Sequence, residues 1–573
     1  MQGFIPFSAQ TSSSAPIAMP EGTSSTAQRG RVQVAIFSPT PTRVPSADAF
    51  LDRYTHSGIK ACTEINGGCT ALVIDSERSE VYIAIDFLGI NSLSYAVTDE
   101  GVHFAQQPLA IAKQLGINKV SRQQLYNFLF FHMIPAPASI FADIKKLEGG
   151  CYLKVKDRAL SIERYWRPNF SAEKIDRITA ENELLRLLRA AVARNAEDSS
   201  VGAFLSGGLD SSSVSGCLAE YETDSAKTFS IGFGVEGYDE LEYARIANSH
   251  FGCQGHELVA TPSDIVQNFS RIAAAYGEPF GNSSVVPTLL CAQLAKSKDV
   301  SVLLAGDGGD ELFAGNERYL KQLVFERYFK IPSPLRSGLL SPLAGALRDE
   351  HPIWLLRKFK SYVEQAEIPL PRRFETWNYA YREGIESMLT PEFAKNIEIE
   401  HPMQAMEAAF ADIPSDDLVD KMLVYDWKFT LADSDLRKVG QMCALAGVEV
   451  RYPMLDKDLI EFSTRIPTSI KLAEGKLRSF YKSATQGFLP DAILNKPKHG
   501  FGLPFGIWRQ QDKDLSLIVD ERLERMRQRG IFKDEFMNQL SAPSGSGAES
   551  YLGYFVWDLM VLEEWLTCHQ LEL

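Results

Sequence analysis

The sequence predicts an α/β protein made of two unlike parts, and three observations support this prediction. Short apolar segments separated by turn residues fill most of residues 31–165, which is typical of a β-rich domain. From Ala180 onward, strands alternate with helical patterns, which indicates a parallel, doubly wound sheet. Beyond Asn316 the pattern is mostly helical to the last residue.

The composition is that of an ordinary globular chain. Its 573 residues are 45% hydrophobic and 23% charged, which excludes a wholly disordered protein, a collagen or a small disulfide scaffold. The formal net charge of −14 argues against broad binding to nucleic acid or to an anionic membrane. The longest apolar stretch, Phe128 to Phe141, is too short to span a bilayer, and the first thirty residues lack a secretory signal. We therefore expect a cytoplasmic protein with no nucleic-acid and no membrane partner.

Cysteine and histidine spacing gives no support to a zinc site. The eight cysteines are scattered without a C-x2-C pair, and the nine histidines show no H-x3-H or H-E-x-x-H spacing. Most of the cysteines lie in apolar segments, which favours buried, reduced thiols.

The N-terminal part divides into an arm and a domain. Residues 1–30 contain a Ser-, Thr-, Ala- and Pro-rich stretch without hydrophobic period, and we predict a flexible arm there. Residues 31–170 are predicted to form the β-rich domain, with strands at 32–37 and 80–85 and a helix near 121–131. A short polar segment then leads to the second domain, predicted over residues 178–573.

The second part begins with a helix and a buried strand. The helix is predicted over 182–195 and the strand over 201–205, followed by strands at 228–233 and 300–304 and a candidate strand near 255–259. In a doubly wound sheet, ligands bind at the carboxyl ends of the strands. The loops that follow these strands are therefore the places to look for chemistry.

The first such loop is S-G-G-L-D-S-S, residues 206–212, between a strand and a helix. Two glycines allow a tight turn, and the free N–H groups of the turn and of the helix N-terminus suit an anion. The loop is not of the Walker type, because G-x4-G-K-[ST] is absent. A plain helix cap would need only one Ser or Asp here, so we interpret the loop as a phosphate cradle.

The second loop is A-G-D-G-G-D-E, residues 305–311, after the strand that ends at Leu304. Three carboxylates on a glycine-rich loop suit a hard cation that keeps waters and bridges phosphates. Acidic residues at a helix N-terminus would explain one or two of the acids but not the three glycines. Asp210 and Asp310 are therefore a candidate Mg2+ pair around a triphosphate.

A third segment, K-P-K-H-G-F-G at 496–502, is a basic loop that alone would indicate only solvated lysines. The combination is more specific. With E-P-F-x-x-S-S at 278–284, G-D-G-G-D-E-L-F-x-G, V-E-V-R-Y-P-M-L-D at 448–456 and P-K-x-G-F-x-x-P, the chain resembles the asparagine synthetase superfamily over about residues 180–510. The resemblance implies an ATP pyrophosphatase (PP-loop) fold. It also implies a reaction in which ATP adenylates a carboxylate and an amine then displaces AMP to form an amide.

The resemblance also implies roles for individual residues. ATP and Mg2+ are the expected cofactors, with Mg2+ on Asp210 and Asp310. Lys498 stabilises the charge that develops during adenylation and amide formation, so that Lys498 and Asp310 are the expected catalytic residues. Asp307, Glu311 and Arg478 are further candidates with less defined roles. The residues expected to bind ATP or its pyrophosphate are Leu205, Ser206, Gly207, Gly208, Asp210, Ser211, Ser212, Ile231, Ala305 and Gly306.

The N-terminal part resembles the family's glutaminase domain in a degenerate form. Segments 68–74, 86–90 and 104–108 resemble its later strands. A working Ntn-type glutaminase needs Cys at position 2, with its own α-amine as base, and Gln2 stands there. R-G-P-D and N-G-E-I-Y-N segments for a glutamine pocket are also missing. We expect an inactive domain, and a nitrogen donor other than glutamine.

The resemblance leaves the amide product open. Asp307 stands where β-lactam-forming synthetases have a tyrosine, and Arg437 lies near the position of their glutamate, so the chain departs from that branch. It is most similar to the lasso-peptide macrolactam synthetases, which join an Asp or Glu side chain of a peptide to its own N-terminal amine. That branch implies a peptide substrate, a leader-binding protein and a protease. An ammonia-dependent asparagine synthetase and a ligase for another carboxylate are alternatives. In a non-catalytic scaffold we would expect Asp210, Asp310 or Lys498 to be replaced, and all three are present. In a tRNA-thiolating relative we would expect a basic surface and reactive cysteine pairs, and the sequence indicates neither.

Overall fold

The structure is a computed structural model of the whole chain. It describes residues 1–6, 23–38, 45–170, 173–197, 200–348, 351–497, 502–541 and 549–573.

The described part of the N-terminal domain contains two antiparallel sheets. Its strands are β1 Gln2–Pro6, β2 Ser25–Arg29, β3 Val32–Phe37, β4 Thr70–Asp75, β5 Glu80–Ile85, β6 Ser94–Val97, β7 Gly101–Ala105, β8 Lys145–Lys146, β9 Cys151–Lys156 and β10 Ala159–Arg164. Its helices are α1 Ala47–Ser57, α2 Pro108–Leu115 and α3 Arg122–Phe131. The four-stranded sheet has the order β1-β7-β6-β8, and the six-stranded sheet has the order β10-β9-β5-β4-β3-β2.

Alternation along β3 explains how this domain packs. Val34 and Ile36 point to one face of the six-stranded sheet, where α1 covers them with Phe50. Ala35 and Phe37 point to the other face, where they meet the four-stranded sheet. The sheet is therefore buried on both faces, between a helix layer and a second sheet.

The predicted flexible arm over residues 1–30 is wrong at two places. Gln2–Pro6 forms β1, which pairs with β7 in antiparallel register from Gln2 opposite Ala105 to Pro6 opposite Gly101. Ser25–Arg29 forms β2, which pairs with β3. Both are edge strands, and an edge strand can be held by backbone hydrogen bonds and one buried side chain, here Ile5 and Ala27. These two five-residue sequences carry no clear periodic signal. Residues 7–22 of the arm lie outside the described residues.

The second domain is built on a parallel sheet, as the sequence predicts, and this sheet has five strands among the described residues. Its strands are β11 Val201–Phe204, β12 Lys227–Gly232, β13 Gln254–Val259, β14 Val302–Leu304 and β15 Glu449–Arg451. The order is β13-β12-β11-β14-β15, and all neighbouring pairs are parallel. The sequence did not reveal β15, because three residues inside a helical region are too few to show a period of two.

Helices make up most of the rest of this domain. They are α4 Arg177–Ala196, α5 Leu209–Tyr221, α6 Leu241–Phe251, α7 Pro262–Ala275, α8 Val285–Ser297, α9 Gly309–Phe313, α10 Glu317–Glu326, α11 Ser333–Leu335, α12 Ser341–Ala346, α13 Trp354–Glu367, α14 Tyr379–Glu383, α15 Ile385–Met388, α16 Pro391–Ala394, α17 His401–Ala411, α18 Leu418–Asp426, α19 Leu436–Ala446, α20 Lys457–Arg465, α21 Thr468–Lys471, α22 Ser479–Ala484, α23 Asp491–Leu494, α24 Phe505–Gln511, α25 Lys513–Gln528, α26 Asp534–Ser541 and α27 Glu549–His569. Helices α4, α5 and α6 pack as one layer on the sheet, and α7, α8 and α19 pack as another.

The two domains share contacts rather than a linker alone. Gln107 donates to Gln441 with a separation of 3.0 Å, and Glu148 forms an ion pair with Lys428. Helix α3 packs against α14 and α17 of the second domain. Among the described residues, no helix has the length and apolar character needed to cross a membrane.

The core between the two sheets gives a stability prediction. Leu153 on β9 is fully buried there, so we expect Leu153→Ala to lower the free energy of unfolding by about 2–5 kcal/mol through lost burial and a residual cavity. Leu517→Ala on α25 is the control, because Leu517 is 57% exposed, and we expect a change within about 0.5 kcal/mol. Urea unfolding followed by circular dichroism measures both. Equal effects of the two substitutions would contradict the packing described here.

Candidate active site

Two loops meet at the centre of the parallel sheet. Strands β11 and β14 are hydrogen-bonded neighbours, with Val201 opposite Val302 and Ala203 opposite Leu304. The chain turns from β11 toward β12 and β13 on one side and returns through β14 to β15 on the other. This is the topological switch point of the sheet, where the crevice of a doubly wound fold opens.

The loop after β11 has the geometry of an anion cradle. Gly207 has φ +69°, a conformation that side-chain-bearing residues rarely adopt. Helix α5 then starts at Leu209 without a side-chain cap, so its first N–H groups are available to a ligand. The hydroxyl groups of Ser206 and Ser211 lie 3.0 Å apart, and Ser211 Oγ accepts from the Ser206 N–H at 3.2 Å. The serine pair keeps the turn in the shape that presents these donors.

A buried arginine joins the two loops. The Arg478 guanidinium donates to Asp310 Oδ1 at 3.1 Å and also bonds to Asp210 Oδ1. Arg478 is 3% exposed and lies over the Tyr481 ring at 4.3 Å. Burial alone would lower the pKa of Arg478, but the Asp210 and Asp310 carboxylates raise it above its ordinary value. The guanidinium therefore stays charged and compensates both acids.

Gly309 and Gly315 lie so close to the two carboxylates that a larger residue would not fit at either position. A Cβ at Gly309 would overlap the Asp210 carboxylate, and a Cβ at Gly315 would overlap that of Asp310. The Asp210 and Asp310 carboxylates lie beside the anion cradle and both bond to Arg478. This arrangement fits a Mg2+ that takes one or two protein ligands and completes its shell with phosphate oxygens and water. Within the described ranges, no group of three or more His, Cys, Asp or Glu side chains is placed to hold a metal ion.

These loops open into a cavity of about 1050 Å³. Near the cradle its wall is apolar, with Leu205, Phe229 and Ile231. Lys496 closes this end, because its Nζ lies 2.9 Å from Glu240 and 3.3 Å from the Ser206 carbonyl oxygen. An apolar wall beside a phosphate cradle suits a nucleoside joined to phosphates.

The other end of the cavity is charged. Asp307, Asp435 and Lys438 line it, and Lys438 donates to Asp435 Oδ1 at 2.6 Å. Burial raises the pKa of Asp307 to about 6, with Lys438 opposing and Asp435 assisting the rise. Burial alone would lower the pKa of Lys438, yet Asp435 and Asp307 raise it. This end holds one lysine between two carboxylates, an arrangement that suits a polar substrate rather than an apolar one.

The structure brings most of the candidate residues to this cavity. Those that line it are Leu205, Ser206, Gly208, Asp210, Ser211, Ile231, Gly306, Asp307, Asp310 and Arg478. Gly207 shapes the turn without lining the cavity. Lys498 lies outside the described residues. Pro497 and Gly502, the described residues on either side of that gap, both line the cavity.

Three other candidate residues, Ser212, Ala305 and Glu311, do not line the cavity. Ser212 is fully buried inside α5, because one residue further along a helix turns the side chain away from the ligand face. Ala305 is buried and bonds through its N–H to the Arg451 carbonyl oxygen at 2.9 Å, so it supports the loop from below. Glu311 points into the protein interior, where burial and Asp310 raise its pKa well above the ordinary value. These residues hold the loops in place and do not line the cavity.

Other cavity residues escaped the sequence reasoning. Lys438 and Asp435 stand at i,i+3 spacing where α19 begins, which by itself indicates only an exposed helical pair. His132 comes from the N-terminal domain, directly after α3. Only the juxtaposition of distant segments in the fold identifies these residues, since none belongs to a local motif.

The cysteines of the N-terminal domain are not poised for catalysis. Cys62, Cys69 and Cys151 are buried. Burial raises the pKa of Cys62 to about 12, that of Cys151 to about 11 and that of Cys69 well above its ordinary value. A thiol must ionise to act as a nucleophile, so these three are inert at neutral pH.

Comparison with known proteins gives two family matches. The family described as asparagine synthase matches residues 183–567, and the family described as glutamine amidotransferase domain matches residues 45–166. Asparagine synthetase (glutamine-hydrolyzing) 1 of Bacillus subtilis is 26% identical over 527 residues, 90% of this chain and 80% of that protein. Asparagine synthetase (glutamine-hydrolyzing) 3 of the same organism is 24% identical over 80% of this chain and 70% of its own length. Amidase chyE of Penicillium rubens is 22% identical over 82% of this chain and 75% of its own length.

The tight fit of the two loops gives a prediction for anion binding. We expect Gly309→Ala to weaken binding of magnesium pyrophosphate by roughly tenfold or more, because the new methyl group displaces the Asp210 carboxylate. Gly345→Ala on α12 is the matched control, since a Cβ there meets nothing within 4 Å, and binding should not change. Isothermal titration calorimetry measures both. Wild-type affinity in Gly309→Ala would show that this contact does not shape the site.

Proposed function

This chain belongs to the asparagine synthase family and is an ATP-dependent carbon–nitrogen ligase, and we propose that it adenylates a carboxylate and lets an amine displace AMP to form an amide. One observation carries the proposal. The Asp210 and Asp310 carboxylates, held by buried Arg478, face the anion cradle at the switch point of the sheet. A site with both acids and phosphate donors suits a magnesium-bound triphosphate.

ATP and Mg2+ fit the two ends of this arrangement. The cradle loop at 206–211 would receive the pyrophosphate portion through its backbone N–H and serine groups. Leu205, Phe229 and Ile231 would contact the nucleoside. Asp210 and Asp310 would hold Mg2+, which when bound neutralises charge on the phosphates.

In this proposal the protein's own groups stabilise the charge that develops during the reaction and hold the reacting groups in position. The fixed N–H donors at α5 stabilise negative charge as it builds on the departing pyrophosphate. Arg478 keeps Asp210 and Asp310 in position and balances their charge. Lys498, whose role comes from the resemblance, would stabilise charge at the acyl centre. These preorganised groups replace water around the reacting phosphate, which is where a fixed charge lowers a barrier most.

We propose that the amine does not come from glutamine. The inert thiols of Cys62, Cys69 and Cys151 support this part of the proposal. The amine is then free ammonia or an amine that the substrate itself carries.

For the substrate we propose a peptide that cyclises through an Asp or Glu side chain and its own N-terminal amine. The cavity of about 1050 Å³ lies at the upper end of the roughly 300–1,000 Å³ of ordinary ligand pockets, which supports a second substrate bound beside the nucleotide. Holding both ends of one peptide makes the attack unimolecular, an advantage of up to about 7–11 kcal/mol. A leader-binding protein and a leader-processing protease are the partners this proposal includes.

A second candidate is the synthesis of asparagine from aspartate and ammonia. Its support is the similarity to two proteins named asparagine synthetases, which covers 80–90% of this chain and 70–80% of those proteins. The chemistry at the cradle is the same in both candidates, and only the carboxylate and the amine differ.

Product analysis tests the proposed reaction. The purified protein receives Mg-ATP with L-aspartate and ammonium, or with synthetic peptides that have a free N-terminus and an internal Asp or Glu. We expect carboxylate-dependent AMP and pyrophosphate, and from the peptides a product lighter by one water. Asp310→Asn should lower the rate by roughly 100-fold, whereas Asp514→Asn, exposed on α25, should not. ADP as product would contradict adenylation, and asparagine formation would contradict the peptide proposal.

The nitrogen donor has its own test. With the carboxylate that supports turnover, we expect glutamine not to replace ammonium or the substrate's own amine, and no glutamate to be released. Cys62→Ser and Cys69→Ser should leave the rate of AMP release unchanged, because neither thiol ionises near neutral pH. Glutamate release by the wild-type protein, lost in one of these variants, would show that the N-terminal domain is an active glutaminase.

A further inference from the structure

A histidine from the N-terminal domain reaches into the cavity of the second domain. His132 follows α3 with φ +62°, a backbone conformation that favours glycine, and its N–H bonds to the Phe128 carbonyl oxygen at 2.7 Å. Its side chain lines the cavity, with 44% of its surface accessible.

The imidazole has a buried acid as its partner. His132 Nδ1 lies 2.5 Å from Asp558 Oδ2, across 426 residues of sequence. Asp558 is fully buried on α27, and its Oδ1 has no hydrogen-bond partner among the described residues. A buried carboxylate held by a single imidazole fixes that ring's orientation and the position of its proton.

A third segment is fitted to this pair. The Gly281 N–H donates to the His132 carbonyl oxygen at 2.7 Å, and a Cβ at Gly281 would overlap Asp558 Oδ1. Asn282, Ser283 and Ser284, which follow, line the same cavity. The pair therefore lies at the wall of the reaction cavity and not in a remote part of the interface.

We propose that His132 is the general base that takes a proton from the attacking amine, with Asp558 holding the ring for this task. The proposal rests on the proposed function, since it concerns the second step of that reaction. It also gives the N-terminal domain a catalytic side chain in the site of its neighbour.

The proton balance is simple. With Nδ1–H donating to Asp558, Nε2 is the basic nitrogen, and it accepts one proton from the substrate ammonium group. The neutral nitrogen then forms the C–N bond, and the C–O bond to AMP breaks with its electron pair leaving on the phosphate. The second proton of the attacking nitrogen passes to solvent.

The surroundings tune this base toward neutral pH. Burial alone would lower the pKa of His132, but Asp558 and Glu375 raise it above its ordinary value. The neutral, accepting form is therefore lost as pH falls through that raised pKa. In Asp558→Asn the raising carboxylate is gone while burial remains, so the acid limb of the pH–rate profile should move to lower pH.

Varying the nucleophile shows whether His132 acts as a general base or only holds two segments of the chain together. With L-aspartate and with the peptide set, we expect His132→Gln to slow amide formation from ammonium or from the peptide amine by roughly 10²–10⁴-fold. Carboxylate-dependent exchange of pyrophosphate into ATP should persist, because adenylation precedes the base. Hydroxylamine, already unprotonated at neutral pH, should give hydroxamate at near wild-type rate. His56→Gln, exposed on α1, is the control. Added imidazole should partly restore a His132→Ala variant.

The pKa of His132 can be measured without any substrate. In protein labelled at the histidine ring carbons, NMR should place the pKa of His132 above about 6.5 and lower in Asp558→Asn, with His132→Gln identifying the signal.

The outcomes distinguish the two proposals. If the wild-type protein supports neither pyrophosphate exchange nor hydroxamate formation with any carboxylate tested, the proposed function fails. If exchange is intact and His132→Gln forms amide at the wild-type rate, or loses hydroxamate and exchange equally, the base assignment is overturned. An NMR pKa below about 6.5, or one that Asp558→Asn does not move, overturns it as well.

Discussion

The Arg478 guanidinium, bonded to Asp210 and Asp310 at once, is the interaction on which the site depends. It joins loops that follow β11 and β14, which are neighbours in the sheet although their residues are about a hundred positions apart. Two carboxylates this close repel each other unless a cation lies between them. The Arg478 side chain is buried, whereas the Asp210 and Asp310 side chains are 21% and 34% exposed, so solvent partly screens the two pairs. Removing the arginine would still leave two neighbouring carboxylates without their counter-charge.

Much of this arrangement could be predicted from the sequence, because the residues of each loop lie close together along the chain. The loops at 206–212 and 305–311 carry their glycines, serines and acids within a few residues, directly after apolar strands. The rule for doubly wound sheets then places both loops at one edge. Short edge strands such as β1 and β2 could not be predicted, because backbone pairing supplies what their sequences lack. The His132–Asp558 pair also could not, since only the folded chain brings them together.

The N-terminal domain keeps its sheets although its thiols are inert. Its six-stranded sheet is buried on both faces, and α3 packs against helices of the second domain. The end of α3 forms part of the cavity wall through Phe131, His132 and Met133. A domain in this position can be retained for the shape and chemistry of its neighbour's site, independently of any glutaminase reaction of its own.

Transfer of isotope from the carboxylate to AMP tests the central claim most directly. The carboxylate that supports turnover is labelled with oxygen-18, and AMP and pyrophosphate are analysed by mass spectrometry after the reaction. Attack of the carboxylate on the α-phosphorus leaves one labelled oxygen in AMP when the amine displaces it, and none in pyrophosphate. Unlabelled AMP, or label in orthophosphate released with ADP, would contradict an adenylating ligase.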